Sequence, residues 1–67
     1  MENRAPAELL STTETAHVLQ VSRQTVVRLV DAGELKCMQL RPGSPRRIPK
    51  KELQRYIQAR QLEIALP

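Results

Sequence analysis

The first periodic pattern along the chain begins at residue 11 and predicts a short helix. The run Ser-Thr-Thr-Glu at residues 11–14 has the spacing of a capping box, in which the serine side chain and the glutamate side chain each accept from the other residue's amide. Ala16 and Leu19 then give an apolar pair at i, i+3, which is one helix face. We predict a first helix over residues 13–20.

A second pattern starts directly after a short gap. Ser22 is a candidate N-cap, and Val26, Leu29 and Val30 fall at i, i+3, i+4, which again places them on one helix face. Gly33 provides the stop, because glycine adopts a left-handed conformation without steric cost. A second helix from residue 23 to residue 32, joined to the first by a tight turn, is a helix-turn-helix.

A hairpin is predicted next. Residues 35–41 have the pattern of a strand, with Met38 and Leu40 as the expected inward pair. Residues 42–45 read Pro-Gly-Ser-Pro, and Pro-Gly suits the two central positions of a type II turn. Residues 46–48 are predicted to return as the second strand.

A third helix is predicted from Lys50. Leu53, Tyr56 and Ile57 repeat the i, i+3, i+4 pattern, and the helix either runs on through Leu62 or gives way to a frayed tail.

These elements predict a mainly α fold with a small β-hairpin, a winged helix-turn-helix. We expect residues 1–8 to form a flexible N-terminal arm and residues 9–58 to form the folded domain. Residues 59–67 are expected to form a C-terminal tail, either a helix extension or a partner contact.

The charge of the chain is unevenly distributed. The net charge is +4 and the sequence pI is about 10.0. Residues 36–51 contain six lysines and arginines and no acidic residue. A basic surplus on so small a domain favours nucleic acid or an acidic membrane surface as partner, although charge alone is equally compatible with a solvated surface.

Composition argues against an enzyme. A chain of 67 residues with no Trp or Phe has a thin aliphatic core and little room for an enclosed active site. Cys37 and His17 are the only residues of their types. We expect a buried or half-buried cysteine and a histidine at the surface or boundary of the first helix, with no metal site, no cofactor and no catalytic activity. The single cysteine, and the lack of a long apolar run or a signal-peptide pattern, lead us to expect a soluble cytoplasmic protein.

The outward face of the second helix carries side chains suited to DNA. If the apolar face packs inward, polar residues remain for base edges in a major groove. Arginine pairs with guanine, glutamine with adenine, and an apolar side chain can touch a thymine methyl. An ordinary solvated helix face is the alternative interpretation. The candidate recognition residues are Ser22, Arg23, Gln24, Thr25, Val27 and Arg28.

The predicted hairpin carries a second set of candidates. A projecting turn flanked by arginines suits phosphates or a narrow minor groove, and a solvated turn is the alternative. Lys50 and Lys51 lie at a helix N-terminus, where the helix dipole disfavours cations and a bound phosphate would relieve the conflict. The candidates here are Lys36, Gln39, Arg41, Ser44, Arg46, Arg47 and Lys50.

The chain resembles the excisionase-type winged-helix domain, a relative of the MerR-like DNA-binding domains. The resemblance spans about residues 9–57 and is most specific in the block from Val21 to Leu35, followed by Arg47-Ile48-Pro49. It implies a recognition helix at about residues 23–32 in the major groove. It also implies a wing at about residues 36–48 against the backbone or the minor groove.

The same resemblance implies a function. Phage excisionases, the recombination directionality factors, bind double-stranded attachment-site DNA cooperatively as side-by-side copies, bend it, and help an integrase to run excision. The implied partners are therefore DNA, a phage integrase and further copies of the chain, without a membrane or a small-molecule substrate. The implied location is the nucleoid in the host bacterial cytoplasm. The sequence departs from the family at Val27, where a tyrosine is frequent, and at the extra turn in residues 42–45.

Other functions are compatible with this fold. A small transcriptional regulator would bind an operator through the same surface. We expect an excisionase, because the 67 residues leave no space for an effector or dimerisation domain. A protein-interaction module is a third possibility, in which Leu62, Ile64 and Leu66 of the tail dock a partner.

Overall fold

The fold is a winged helix-turn-helix, as the sequence predicts. A computed structural model describes residues 9–64 and Leu66. Along these residues the elements are β1 (Leu9–Ser11), α1 (Thr12–Leu19), α2 (Arg23–Asp31), β2 (Arg47–Pro49) and α3 (Lys50–Ala59). The arm predicted at residues 1–8 lies outside the described residues. No helix in the described part of the chain has the length and apolar character needed to cross a membrane.

The capping box predicted for the first helix is present. The Glu14 amide donates to Ser11 Oγ at 3.0 Å, and the Ser11 amide donates to Glu14 Oε1 at 2.8 Å. Thr15 is fully buried, and its hydroxyl donates to the Ser11 carbonyl at 2.8 Å, so the buried polar group has a partner. These three bonds fix the start of α1 at Thr12, one residue before the predicted start.

The three helices of the described region end in the same way. Gln20, Gly33 and Gln61 have φ of 59°, 80° and 56°, all in the left-handed region. In each case the following residue donates its amide to the carbonyl five positions earlier, at 2.9 to 3.0 Å, which is the Schellman motif. The glycine stop predicted for α2 is confirmed. The motif at Gln61 ends α3 at Ala59, so this helix is not extended into the tail.

The core forms where α1, α2 and α3 meet β2. Val26, Ile48 and Leu53 have no exposed surface, and Leu35 is 1% exposed. Leu29 and Val30 are partly buried and pack against this cluster, so the predicted inward face of α2 is confirmed. The wider set of residues that complete or border the core comprises Ala16, Ile57, Leu10, Val18, Leu19, Cys37, Tyr56, Ile64 and Leu66.

The two-stranded sheet joins the start of the domain to the segment between the wing loop and α3. β1 pairs antiparallel with β2, with Leu9 opposite Pro49 and Leu10 opposite Ile48. β1 is not predicted by the sequence pattern. Because Ser11 ends β1 and caps α1, the pairing brings the N-terminus of α1 beside Arg47, at the base of the wing.

The predicted strand at residues 35–41 is wrong in extent and in register. Leu35 is buried and Cys37 packs against the core, whereas the predicted inward residues Met38 and Leu40 are 50% and 91% exposed. Because alternate residues of an extended chain face opposite sides, a register error of one residue exchanges the inward and outward sets. Pairing here is a single bridge, in which Met38 and Arg47 exchange backbone hydrogen bonds of 2.6 and 2.9 Å.

Residues 38–47 form the loop closed by that bridge, which we call the wing loop. At its tip the Ser44 amide donates to the Arg41 carbonyl at 3.0 Å, and Gly43 has φ of 90°. Both features match the predicted type II turn. The Gln39 side-chain amide also donates to the Ser44 carbonyl at 2.7 Å. Hydrogen bonds therefore connect the two sides of the wing loop at three places: the bridge, the Gln39 side chain and the turn.

Candidate nucleic-acid interface

A cleft of about 330 Å³ lies between α2 and the wing loop. The start of α1 forms its floor, because the β1–β2 pairing holds Ser11 beside Arg47. The residues that line the cleft are Ser11, Thr12, Arg23, Val27, Gln39, Gly43, Ser44, Pro45, Arg46 and Arg47.

The first turn of α2 presents the predicted recognition residues. Arg23, Gln24 and Arg28 are exposed, and Val27 is half-buried where the helix meets the cleft. Ser22 caps the helix by accepting from the Thr25 amide at 3.1 Å. The hydroxyls of these two residues also lie 2.8 Å apart in a hydrogen bond. Ser22 and Thr25 are therefore engaged in starting the helix, and the more available polar groups are those of Arg23, Gln24 and Arg28.

Arg23 is oriented by a contact that the sequence analysis missed. Its Nε donates to Thr12 Oγ1 at 3.3 Å, which ties α2 to the first residue of α1. A guanidinium has further N–H donors at its two terminal nitrogens, and the bond from Nε does not use them. The two residues are 11 positions apart, and Thr12 stands in the sequence only as an interior residue of the capping box, so the pattern along the chain does not indicate the pair.

Arg46 and Arg47 form the opposite wall of the cleft and differ in their contacts. Arg47 is exposed, and its backbone is fixed by the bridge to Met38. Arg46 donates from Nη1 to Asp31 Oδ1 at 2.9 Å, and the two side chains are 32% and 58% exposed. The sequence shows no acidic residue near the wing arginines, but the fold brings Asp31 from the end of α2. This ion pair links the two walls of the cleft.

The cleft brings together about half of the predicted residues. Gln39 and Ser44 line it, and the bond between them closes the wing loop. The predicted residues that line the cleft are Arg23, Val27, Gln39, Ser44, Arg46 and Arg47. Those outside its lining are Ser22, Gln24, Thr25 and Arg28 on α2, Lys36 and Arg41 around the wing loop, and Lys50 at the start of α3.

The charge of the cleft suits an anionic polymer. Arg23, Arg46 and Arg47 are its charged lining residues, and no carboxylate is among the residues that line it in the described structure. Guanidinium groups bind phosphate oxygens through two parallel N–H bonds, which fixes orientation as well as charge. The guanidinium groups of Arg46 and Arg47 on the wing wall can therefore hold a sugar–phosphate strand that runs between α2 and the wing loop.

The rest of the described surface offers little chemistry of another kind. His17 is exposed, and Cys37 is half-buried against the core, as expected from the sequence. Within residues 9–64 and Leu66, no three His, Cys, Asp or Glu side chains come together as a metal site would require.

Comparison with known proteins places the chain in a family. The profile of the helix-turn-helix domain family matches residues 9–61, a span that contains both strands, the three helices described above and the wing loop. No curated protein and no solved structure is significantly similar to the chain. The match covers most of the chain and agrees with the observed fold. The chain therefore belongs to the helix-turn-helix domain family, a family of DNA-binding domains.

Proposed function

We propose that the protein is a sequence-specific architectural DNA-binding protein of the excisionase type. It binds attachment-site DNA cooperatively, bends it, and directs an integrase toward prophage excision. The observation that carries this proposal is the cleft between α2 and the wing loop, in which Arg23 faces Arg46 and Arg47.

In the proposed complex, α2 lies in the major groove. Its exposed first turn directs Arg23 and Gln24 toward base edges, and Arg28 follows just over one turn later. A bidentate arginine or glutamine contact discriminates between bases by about 1–3 kcal/mol. The sequence preference of the protein therefore resides in α2.

The backbone strand that borders this major groove runs through the cleft, and the wing loop lies beyond it. Arg46 and Arg47 then contact phosphates of this strand. Such contacts set the register of the protein on the duplex and make affinity depend on salt, without reading sequence.

Cooperative binding follows from the size of the reading surface. One short helix and one loop contact few base pairs, and a single small module buries only about 600–1,000 Å² on DNA. A monomer is therefore expected to bind weakly, and neighbouring copies or an integrase supply the remaining stability of the complex.

Footprinting on attachment-site DNA from the same genome, with and without the integrase, tests the proposal. An excisionase protects a regularly spaced array near the recombination site and stimulates excision. A protected promoter site without any effect on excision identifies a transcriptional regulator instead.

Two substitutions test the DNA-binding surface itself. We expect Arg23→Ala and Arg46→Ala each to weaken binding at low salt. Arg55→Ala is the matched control, because Arg55 is 68% exposed on α3 and outside the cleft lining. Unchanged affinity in both cleft variants would contradict a DNA-binding role for the cleft.

A further inference from the structure

The most exposed large apolar side chain that the structure describes is on the wing loop. Leu40 is 91% exposed, whereas the other large exposed apolar residues, Val21, Met38 and Leu62, are 39%, 50% and 40% exposed. Leu40 lies directly before Arg41 and the Pro-Gly turn. An almost fully exposed leucine at a projecting position buries little apolar surface in the free protein, so its side chain is available for burial in a complex.

The surroundings of Leu40 indicate what that complex contains. Residues 36–51 contain six cationic residues and no carboxylate. Leu40 borders a groove whose charged lining residues are Arg47 and Glu14, and Glu14 is already bonded to the Ser11 amide. An apolar side chain on a cationic loop is complementary to a surface that is anionic at its rim and apolar inside. A duplex has this character at its minor groove when one base step is opened, with phosphates along the groove edges and base faces exposed at the unstacked step.

The position of the loop agrees with this occupant. The cleft and the groove beside Leu40 share Gln39, Ser44, Pro45 and Arg47, so the wing loop is the wall between them. If a backbone strand runs through the cleft, with α2 in the major groove on one side, the wing loop lies over the minor groove on the other. Leu40 is then the exposed apolar side chain at that groove.

The loop is also held in shape before it binds. The backbone bridge between Met38 and Arg47, the bond from Gln39 to the Ser44 carbonyl at 2.7 Å, and the type II turn at the tip tie residues 38–47 across at successive levels. A side chain that separates stacked bases has to be presented on such a framework, since ordering a loose loop would add its entropy to the unstacking cost.

We propose that Leu40 is a DNA-bending wedge, which enters the minor groove and partly unstacks one base step. The inference rests on the proposed DNA-binding function and extends it, because it assigns the bend to one side chain. Leucine wedges inserted between base steps kink a duplex by about 20–90°.

The test uses a short duplex selected from a randomised pool by the full chain, carrying one binding site. The fluorescent base 2-aminopurine replaces each adenine in turn and brightens where stacking is lost, and energy transfer between dyes on the duplex ends reports the bend. We expect one bright step and a bent duplex with the wild-type chain. Leu40→Met is expected to retain both signals, and Leu40→Ser is expected to lose both.

The DNA affinity of the Leu40→Ser variant distinguishes a wedge from an ordinary contact. Because burial of the leucine is offset by the unstacking that it causes, Leu40→Ser is expected to change affinity by less than about tenfold. A larger loss would contradict the wedge, because it would make Leu40 a principal source of affinity. Leu62→Ser is the matched control for an exposed leucine, and it should leave the bend unchanged.

The remaining outcomes are distinguishable. If the wild-type chain binds the duplex without a bright step, or if Leu40→Ser bends it as well as the wild type does, the wedge is refuted and DNA binding stands. If Leu40→Ser keeps the bend on one site but loses cooperativity on two adjacent sites, Leu40 contacts a second copy and the wedge is again refuted. If the selection yields no duplex that the wild type binds, the proposed function itself fails.

Discussion

Removal of the charge on Asp31 is expected to strengthen DNA binding. Arg46 lines the cleft, and in the free protein its Nη1 donates to Asp31 Oδ1 at 2.9 Å. A phosphate in the cleft has to compete with this carboxylate for Arg46. Asp31→Asn keeps the size and shape of the side chain and removes the competition.

The exposure of the pair sets the size of the effect. Because the Arg46 and Asp31 side chains are 32% and 58% exposed, water screens the pair, and exposed pairs of this kind contribute about 0.2–1 kcal/mol. If DNA binding breaks the ion pair and loses this contribution, Asp31→Asn has no such loss and should raise affinity by a factor between about 1.4 and 5. The variant should lose no more than the same amount of folding free energy, because backbone and side-chain bonds within residues 38–47 hold the wing loop independently.

Fluorescence anisotropy titrations at several salt concentrations measure the effect. Glu34→Gln is the matched control, since it removes the same charge and breaks the ion pair with Arg60, which is outside the cleft lining. We expect a larger gain for Asp31→Asn than for Glu34→Gln, and a gain that shrinks as salt rises. Weaker binding by Asp31→Asn would refute the reasoning, because it would mean that Asp31 positions Arg46 for the phosphate.

The remaining predictions concern the stability of three variants, and thermal unfolding followed by circular dichroism checks all of them. Gln20→Gly should stabilise the domain by about 1 kcal/mol, since a non-glycine residue with φ of 59° is strained. Gly33→Ala should destabilise the domain through its positive φ alone, because a Cβ there meets nothing within 4 Å. An unchanged melting temperature in both variants would contradict this assignment of the helix ends. Ile48→Ala should cost about 2–5 kcal/mol, because Ile48 has no exposed surface and lies at the centre of the core; a loss below about 1 kcal/mol would show that this core tolerates the cavity.

The helices could be predicted from the sequence because their determinants are local. The capping box at Ser11, the N-cap at Ser22 and the glycine stop at Gly33 each act within a few residues, and the inward face of α2 follows from the spacing of its apolar residues. The left-handed residues Gln20 and Gln61 gave no comparable indication, because glutamine is unusual in that conformation.

The sheet and the wing could not be predicted in the same way. β1 has three residues and pairs with β2 nearly 40 positions later, so its partner is set by the packing of the helices between them. The predicted register at the start of the wing is wrong because Leu35 and Cys37 alternate as regularly as Met38 and Leu40, so the pattern fits either register. Leu35 and Cys37 are the residues that pack inward.

Long-range contacts explain why the candidate site was only partly predicted. The residue types along α2 and the wing indicated a DNA-binding surface, and the arginines at 23, 46 and 47 do line one cleft. The bond from Arg23 to Thr12 and the ion pair between Arg46 and Asp31 join residues 11 and 15 positions apart. Such contacts depend on the assembled fold, and they distinguish arginines that look equivalent in the sequence.

The central claim is that a DNA backbone strand lies between α2 and the wing loop, and the salt dependence of binding tests it most directly. The measurement is the slope of log affinity against log salt concentration for wild type, Arg47→Ala and Arg55→Ala on one duplex. We expect Arg47→Ala to make the slope shallower by about 0.9, the value for one phosphate contact, and Arg55→Ala to leave it unchanged. Equal slopes for all three proteins would contradict the claim.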